Sequence, residues 1–178
     1  MAKRTSLRDF QNQLIARLGS AQRGETQRAL LGVESGSGSQ PLWLLDLGDA
    51  GEIVSLAAAG GLVPVTLAKP WYAGVVNIRG NLYSVVDFSA FRGDEPTARN
   101  AEARLLLVGA RHGINSALLV KRTLGLRPPE SLVPSPAAAA PGAPPWQGQH
   151  YVDGEGHPWY YLNVPSLLTD PGFLDITA

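Results

Sequence analysis

Apolar positions along this chain recur mostly as short runs bounded by Gly, Pro, Ser and Asp, which is the pattern of strands joined by turns. One segment departs from it. Leu7, Phe10, Leu14, Ile15 and Leu18 fall at helical spacing, Ser6 and Asp9 sit where a cap and its partner belong, and Gly19 can end the helix. Residues 6–18 are therefore predicted as an N-terminal amphipathic helix. A helix so short is marginal alone, so its stripe must dock on its own body or on a partner.

Strands are predicted over residues 30–34 and 41–47, separated by the flexible Ser/Gly loop 35–39. Others follow at 52–57, 74–78, 82–88, 104–108 and 115–120, with a short edge strand carrying Pro64 at 63–67. Residues 150–154 and 158–164 read as a hairpin across the DGEG turn, with Tyr151, Trp159, Tyr160 and Tyr161 as strand formers. Pro165 suits a first helical position, so a short C-terminal helix is expected over 166–168. Residues 127–145 hold seven of the fourteen prolines. Proline fixes φ and lacks an amide donor, so this is an extended connector, neither helix nor central strand. Strand signals on both sides make it a long loop inside one domain. A PxxP ligand is the alternative to a plain loop there. The expected organisation is a basic extension over 1–28 and one domain over 29–178. Many short strands with Gly-rich turns indicate an all-β barrel or sandwich, and 178 residues suffice to close two small barrels.

Charge narrows the function classes. Residues 1–28 hold six Lys/Arg and two acids, and the rest of the chain nine and thirteen, so a tail of net +4 precedes a body of net −4. A mildly acidic body does not favour a nucleic-acid groove. No run is long and apolar enough to predict membrane insertion, and no secretory signal is legible, so the expected compartment is the cytoplasm. With no cysteine there is no disulfide, thiolate metal site or Cys nucleophile.

Candidate chemistry is sparse. His150, Asp153, Glu155 and His157 could gather round a metal, but a polar hairpin tip is the plainer reading. No phosphate-binding loop, dinucleotide fingerprint or nucleophile elbow is present. Asp46 with Asp49, and Asp94 with Glu95, lie in loop-like segments without an apolar pocket to raise a pKa. Asp87 reads as a strand-end cap. Neither an enzyme nor a cofactor is expected.

The stretch YAGVVNIRGNLYSVVDF, residues 72–88, places a charged Arg79 and Gly80 between two apolar runs. One answer is a hairpin turn; the other is an arginine presented to a partner. The segment Gly74-Val75-Val76-Asn77-Ile78-Arg79-Gly80, followed by Val85-Val86-Asp87-Phe88, resembles the signature of the CheW-like family of coupling proteins. Ser84 stands where that family often has Pro, and Phe88 where it often has Leu. WLLDLGDAGEI at 43–53, LVPV at 62–65 and HYVDGEGHPWYYLNVPSLL at 150–168 extend the likeness over residues 29–172. The wording is most similar to the coupling proteins of pilus-type chemosensory systems, which control twitching motility.

The resemblance implies two small SH3-like β-barrel lobes packed on a shared apolar seam. It also implies a noncatalytic adaptor at receptor arrays near the inner membrane. Its partners would be the regulatory domain of a CheA-type histidine kinase and the cytoplasmic tip of a chemoreceptor, with no cofactor or metal. The residues it assigns to partner binding are Glu52, Ile53, Asn77, Ile78, Arg79 and Gly80. Ala50 departs from the family's usual Val, and Lys121 and Arg122 reverse the charge of the family's corresponding segment. Arg79 could also serve its own fold by pairing with Asp87 or with strand-end carbonyls. An SH3-like module binding peptides in a groove of Trp71, Tyr72 and Tyr83 is the competing reading.

Overall fold

The computed structural model describes residues 29–36, 41–136 and 141–178. The helix expected over residues 6–18 and the whole basic extension lie outside the described residues. Eleven strands dominate what is described. They are β1 (Leu30–Glu34), β2 (Leu42–Asp46), β3 (Ala50–Ser55), β4 (Tyr72–Ile78), β5 (Asn81–Asp87), β6 (Arg104–Val108), β7 (Ser116–Val120), β8 (Arg122–Arg127), β9 (Leu132–Pro134), β10 (Gln147–Asp153) and β11 (Pro158–Leu162). Three short α-helices, α1 (Phe88–Phe91), α2 (Val164–Leu168) and α3 (Pro171–Leu174), and two 3-10 turns at Ala110–His112 and Pro129–Ser131 complete the described elements.

The strands form two sheets, and hence two lobes. One has the order β8-β1-β2-β11-β10-β9 and the other β3-β6-β7-β5-β4. Each contains one parallel pair, β2 with β11 and β5 with β7; the other pairings are antiparallel. The chain passes from the first lobe to the second at the turn after β2 and returns at Lys121, between β7 and β8. The C-terminal tail crosses once more, through the bridge of Thr177 to Ala68.

Near-continuous apolar strands such as RLLLV and SALLV arise because these strands are covered on both faces. Side chains alternate along a strand, so each strand divides its residues between two cores. Leu106, Val108, Leu118 and Val120 face a seam shared with Leu31, Val33, Trp43 and Leu45 of the other lobe and with α2 and α3. Leu105, Leu107, Ala117 and Leu119 face the interior of their own lobe with Val76, Ile78 and Val85. The first lobe has its own interior around Leu30, Leu44, Leu132 and Trp159. The expected seam between two β lobes is thus present, and Trp43 stands at its centre, edge-on to Phe88 at 5.0 Å.

One ion-pair cluster ties the crossover down. Glu34, 7 % exposed at the end of β1, accepts from Lys121 Nζ and Arg122 Nε, each at 2.6 Å. The Lys121 amide also donates to the Glu34 carbonyl at 3.0 Å.

Several expectations need correction. Residues 63–67 form no strand; only Val63 bridges to Val75, and Leu67 takes a φ of 60° that a strand cannot contain. The strand expected at 52–57 begins two residues earlier, at Ala50. Phe88 opens α1 instead of ending a strand, because the Asp87 carboxylate caps that helix. Pro165 is the second helical residue, after Val164, with Asn163 as the cap. Within 127–145 lies β9, a three-residue edge strand ending in proline, where no amide is missed. Strand β8 was not anticipated.

Candidate functional site

The β4–β5 hairpin turns in two residues. Ile78 pairs with Asn81, and Arg79 and Gly80 take φ of 51° and 86°. A type I′ turn, one of the two-residue turns that match strand twist, needs positive φ at both positions. Gly80 meets this without strain, whereas an L-residue such as Arg79 pays roughly 1–2 kcal/mol. The Asn77 side chain supports the bend by accepting from the Gly80 amide at 2.8 Å. The hairpin and the presented arginine are therefore one feature.

Arg79 does not pair with Asp87. Its two terminal nitrogens reach Glu52 in a forked contact, Nη1 to Oε2 at 2.9 Å and Nη2 to Oε1 at 2.6 Å. Glu52 lies on β3 and the turn follows β4, the two opposite edge strands of the five-stranded sheet. The sheet must therefore curl until its edges approach, and the ion pair spans the gap. A register shift between Ala50 and Glu52 marks a bulge in β3 that re-aims Glu52. The pair faces solvent, with the Arg79 side chain 76 % exposed and that of Glu52 35 %.

Beside it is a surface pocket of about 200 Å³ lined by Val54, Ala58, Ala59, Asn77, Ile78 and Arg79. Ile53, on the same edge strand, is 40 % exposed. Of the six residues singled out from sequence, Glu52, Asn77, Ile78, Arg79 and Gly80 thus meet at the gap between β3 and the β4–β5 turn, whereas Ile53, paired with seam-facing Leu106, points to the other face of β3. Ala58 and Ala59, small enough to leave the pocket open, were missed; nothing distinguishes them in sequence from any loop alanine. The arrangement offers a solvent-facing charge pair beside a recess of mixed polar and apolar lining, which suits recognition of a protein surface. It presents no nucleophile paired with a base.

The other candidates are absorbed by the fold. Asp87 Oδ1 accepts from the Ser89 and Ala90 amides and the Thr97 hydroxyl, and Oδ2 from the Thr97 amide. Trp71 packs edge-on to Phe91, Tyr72 lies against the seam and donates to Ser84, and Tyr83 packs on the second lobe's interior. These three aromatics do not form a groove.

At the β10–β11 turn, ligand atoms of Asp153, Glu155 and His157 lie within 4.8 Å of one another. His150 is elsewhere, edge-on to Tyr160 with ring centroids 4.0 Å apart. Burial pushes the Asp153 pKa up, but bonds from Trp159 Nε1, the His157 and Glu155 amides and the His157 ring outweigh it, leaving about 2. Both Asp153 oxygens are engaged by these donors, which fits a turn clasp better than a metal ligand. Among the described residues, no helix is long and apolar enough to cross a membrane.

Comparison with known proteins bears on this arrangement. The model of the CheW-like domain matches residues 32–172. Protein PilI of Pseudomonas aeruginosa is 28 % identical over 138 residues, which span 74 % of this chain and 72 % of that protein. The crystal structure of scaffolding protein TtCheW from Thermoanaerobacter tengcongensis matches with a TM-score of 0.60 at 16 % identity, over 78 % of this chain and 90 % of that one. The last is a likeness of fold.

Proposed function

The chain belongs to the CheW-like domain family, and from that premise we propose that it is a noncatalytic scaffold coupling a chemoreceptor to a CheA-type histidine kinase. The likeness to PilI supports placing it in a pilus-type chemosensory system that controls twitching motility. On this reading it works in the cytoplasm, at receptor arrays near the inner membrane. One surface binds the kinase's regulatory domain and another the receptor's cytoplasmic tip. Signal transfer then requires that these surfaces bind the two signalling states with different affinity.

The observation that carries the reading is the solvent-facing Glu52–Arg79 pair beside the Ile78 pocket. Arg79 is held in a strained turn yet contributes little burial, so its conformation answers to something other than packing. We assign Glu52, Ile53, Asn77, Ile78, Arg79 and Gly80 to partner binding. Asn77 and Gly80 set the turn, the ion pair and the pocket beside Ile78 make contact, and Ile53 extends the surface onto the other face of β3. The peptide-binding alternative loses support because Trp71 and Tyr72 pack against the seam and Tyr83 against the interior of the second lobe, each partly buried.

The test is binding of the full chain to the kinase regulatory domain, and separately to receptor tips, both from the same cell. Wild type is compared with folded Glu52→Ala and Arg79→Ala. Weakening of roughly tenfold or more for at least one partner is expected of an interface anchor. Wild-type protein that binds neither partner would refute the coupling reading. Variants that bind both as wild type does would refute the site.

A further inference from the structure

Among the described non-glycine residues two take a left-handed backbone, Arg79 at φ 51° and Leu67 at φ 60°. A bulky side chain is rare there, because its Cβ crowds the following carbonyl. Leu67 is also 86 % exposed. An exposed leucine alone needs no explanation. Strain and exposure together do. The side chain gains no burial from the conformation it is held in, and glycine would make the same turn without strain.

The turn is fixed from both sides. Upstream, Val63 exchanges two backbone bonds with Val75 of β4, at 2.8 and 2.9 Å. Downstream, the tail lies along residues 67–69. The Ala178 amide donates to the Leu67 carbonyl at 3.0 Å, and the Lys69 amide to the Ile176 carbonyl at 2.8 Å. Lys69 Nζ adds a bond to the Asp175 carbonyl at 2.7 Å and an ion pair with its carboxylate at 2.8 Å. The Lys69 carbonyl accepts from the Tyr72 amide at 2.9 Å, where β4 begins. Arg79 follows the last residue of β4, so the two left-handed residues flank a strand whose ends are roughly 20 Å apart.

We infer that Leu67 anchors a second docking surface: its pre-set apolar side chain enters a leucine-sized hollow on a protein partner other than the one held at Glu52–Arg79. The inference rests on the adaptor reading, which requires two separate surfaces. Fixing the turn before binding spares the ordering cost that a free loop would meet. Residues 175–178 supply that fixing, so the tail positions the anchor.

The test titrates the full chain with the kinase regulatory domain and, separately, with receptor tips, as wild type, Leu67→Asn and Arg79→Ala. Asparagine accepts a left-handed backbone but is polar, so Leu67→Asn should fold with a urea midpoint at or above that of wild type. It should weaken one partner at least about tenfold, and that partner should be the one that Arg79→Ala leaves unchanged. A midpoint well below wild type overturns the inference, because Leu67 would then be a packing residue. Unchanged binding of both partners by Leu67→Asn overturns it, as does loss of a partner that Arg79→Ala also weakens. Self-association of wild type that Leu67→Asn abolishes overturns it in favour of contact between two copies. Wild type that binds neither partner refutes the coupling reading, and this inference falls with it; wild type that binds while Leu67→Asn matches it refutes the role of Leu67 alone.

Discussion

Glu34→Gln removes one negative charge from the point where the chain returns from the second lobe to the first. Glu34 is 7 % exposed and holds both Lys121 and Arg122 at 2.6 Å. A hydrogen bond to a charged group contributes ~1.5–3 kcal/mol, and truncating one member of a fully buried pair costs ~3–5 kcal/mol. Here the cations are not fully buried: the Lys121 and Arg122 side chains are 28 % and 50 % exposed and can rehydrate. Discounting the Arg122 arm altogether leaves a loss of about 2 kcal/mol, or a melting temperature lower by ~4–8 °C for a chain of this size.

The loss should also depend on pH. Burial alone would raise the Glu34 pKa, but the bonds and charges of Lys121 and Arg122 outweigh it and hold the pKa below its ordinary 4.5. A depressed carboxylate pKa stabilises the fold above the unfolded value, and that contribution disappears as pH falls through the folded one. Urea denaturation of both proteins across the acid range should therefore show a gap that is constant at neutral pH and closes below 4.5. A gap under ~0.5 kcal/mol at neutral pH would refute the reasoning about burial. One that persisted undiminished into acid would refute the electrostatic account.

Three further predictions separate strain from contact. Arg79→Gly relieves ~1–2 kcal/mol of positive-φ strain but forfeits an exposed ion pair worth ~0.2–1 kcal/mol and adds unfolded-state entropy. Its stability should stay within about 1 kcal/mol of wild type while kinase or receptor binding weakens; a larger loss would make Arg79 a structural residue. At Gly74, φ is 124° and an added Cβ would lie 2.3 Å from the Val63 carbonyl oxygen, so Gly74→Ala should break the Val63–Val75 bridge and cost ~2–3 kcal/mol in a urea melt. Gly80→Ala, with nothing within 4 Å of the new Cβ, should cost only the strain of its φ, ~1–2 kcal/mol.

Periodicity located most strands because strand burial writes a local signal. Leu30–Glu34 and Arg104–Val108 were legible to the residue, since strands covered on both faces read as unbroken apolar runs. Arg122–Arg127 was missed for the opposite reason. It alternates polar, small and apolar residues around Gly125 at φ 78°, and its pairing with β1 comes from far along the chain. The β3 boundary was missed because a bulge shifts its register, which composition does not announce.

The sequence alone determined the β class, the turn chemistry of Asn77, Arg79 and Gly80, and the motif that carries the family likeness. Each depends on residues close together in the chain. That Glu52 and Arg79 meet in an ion pair, 27 positions apart, was decided only by the curl of the five-stranded sheet. The division of each strand between a lobe interior and the shared seam was likewise tertiary. Alternation says that a strand has two faces, but which core each face meets depends on how the two sheets pack.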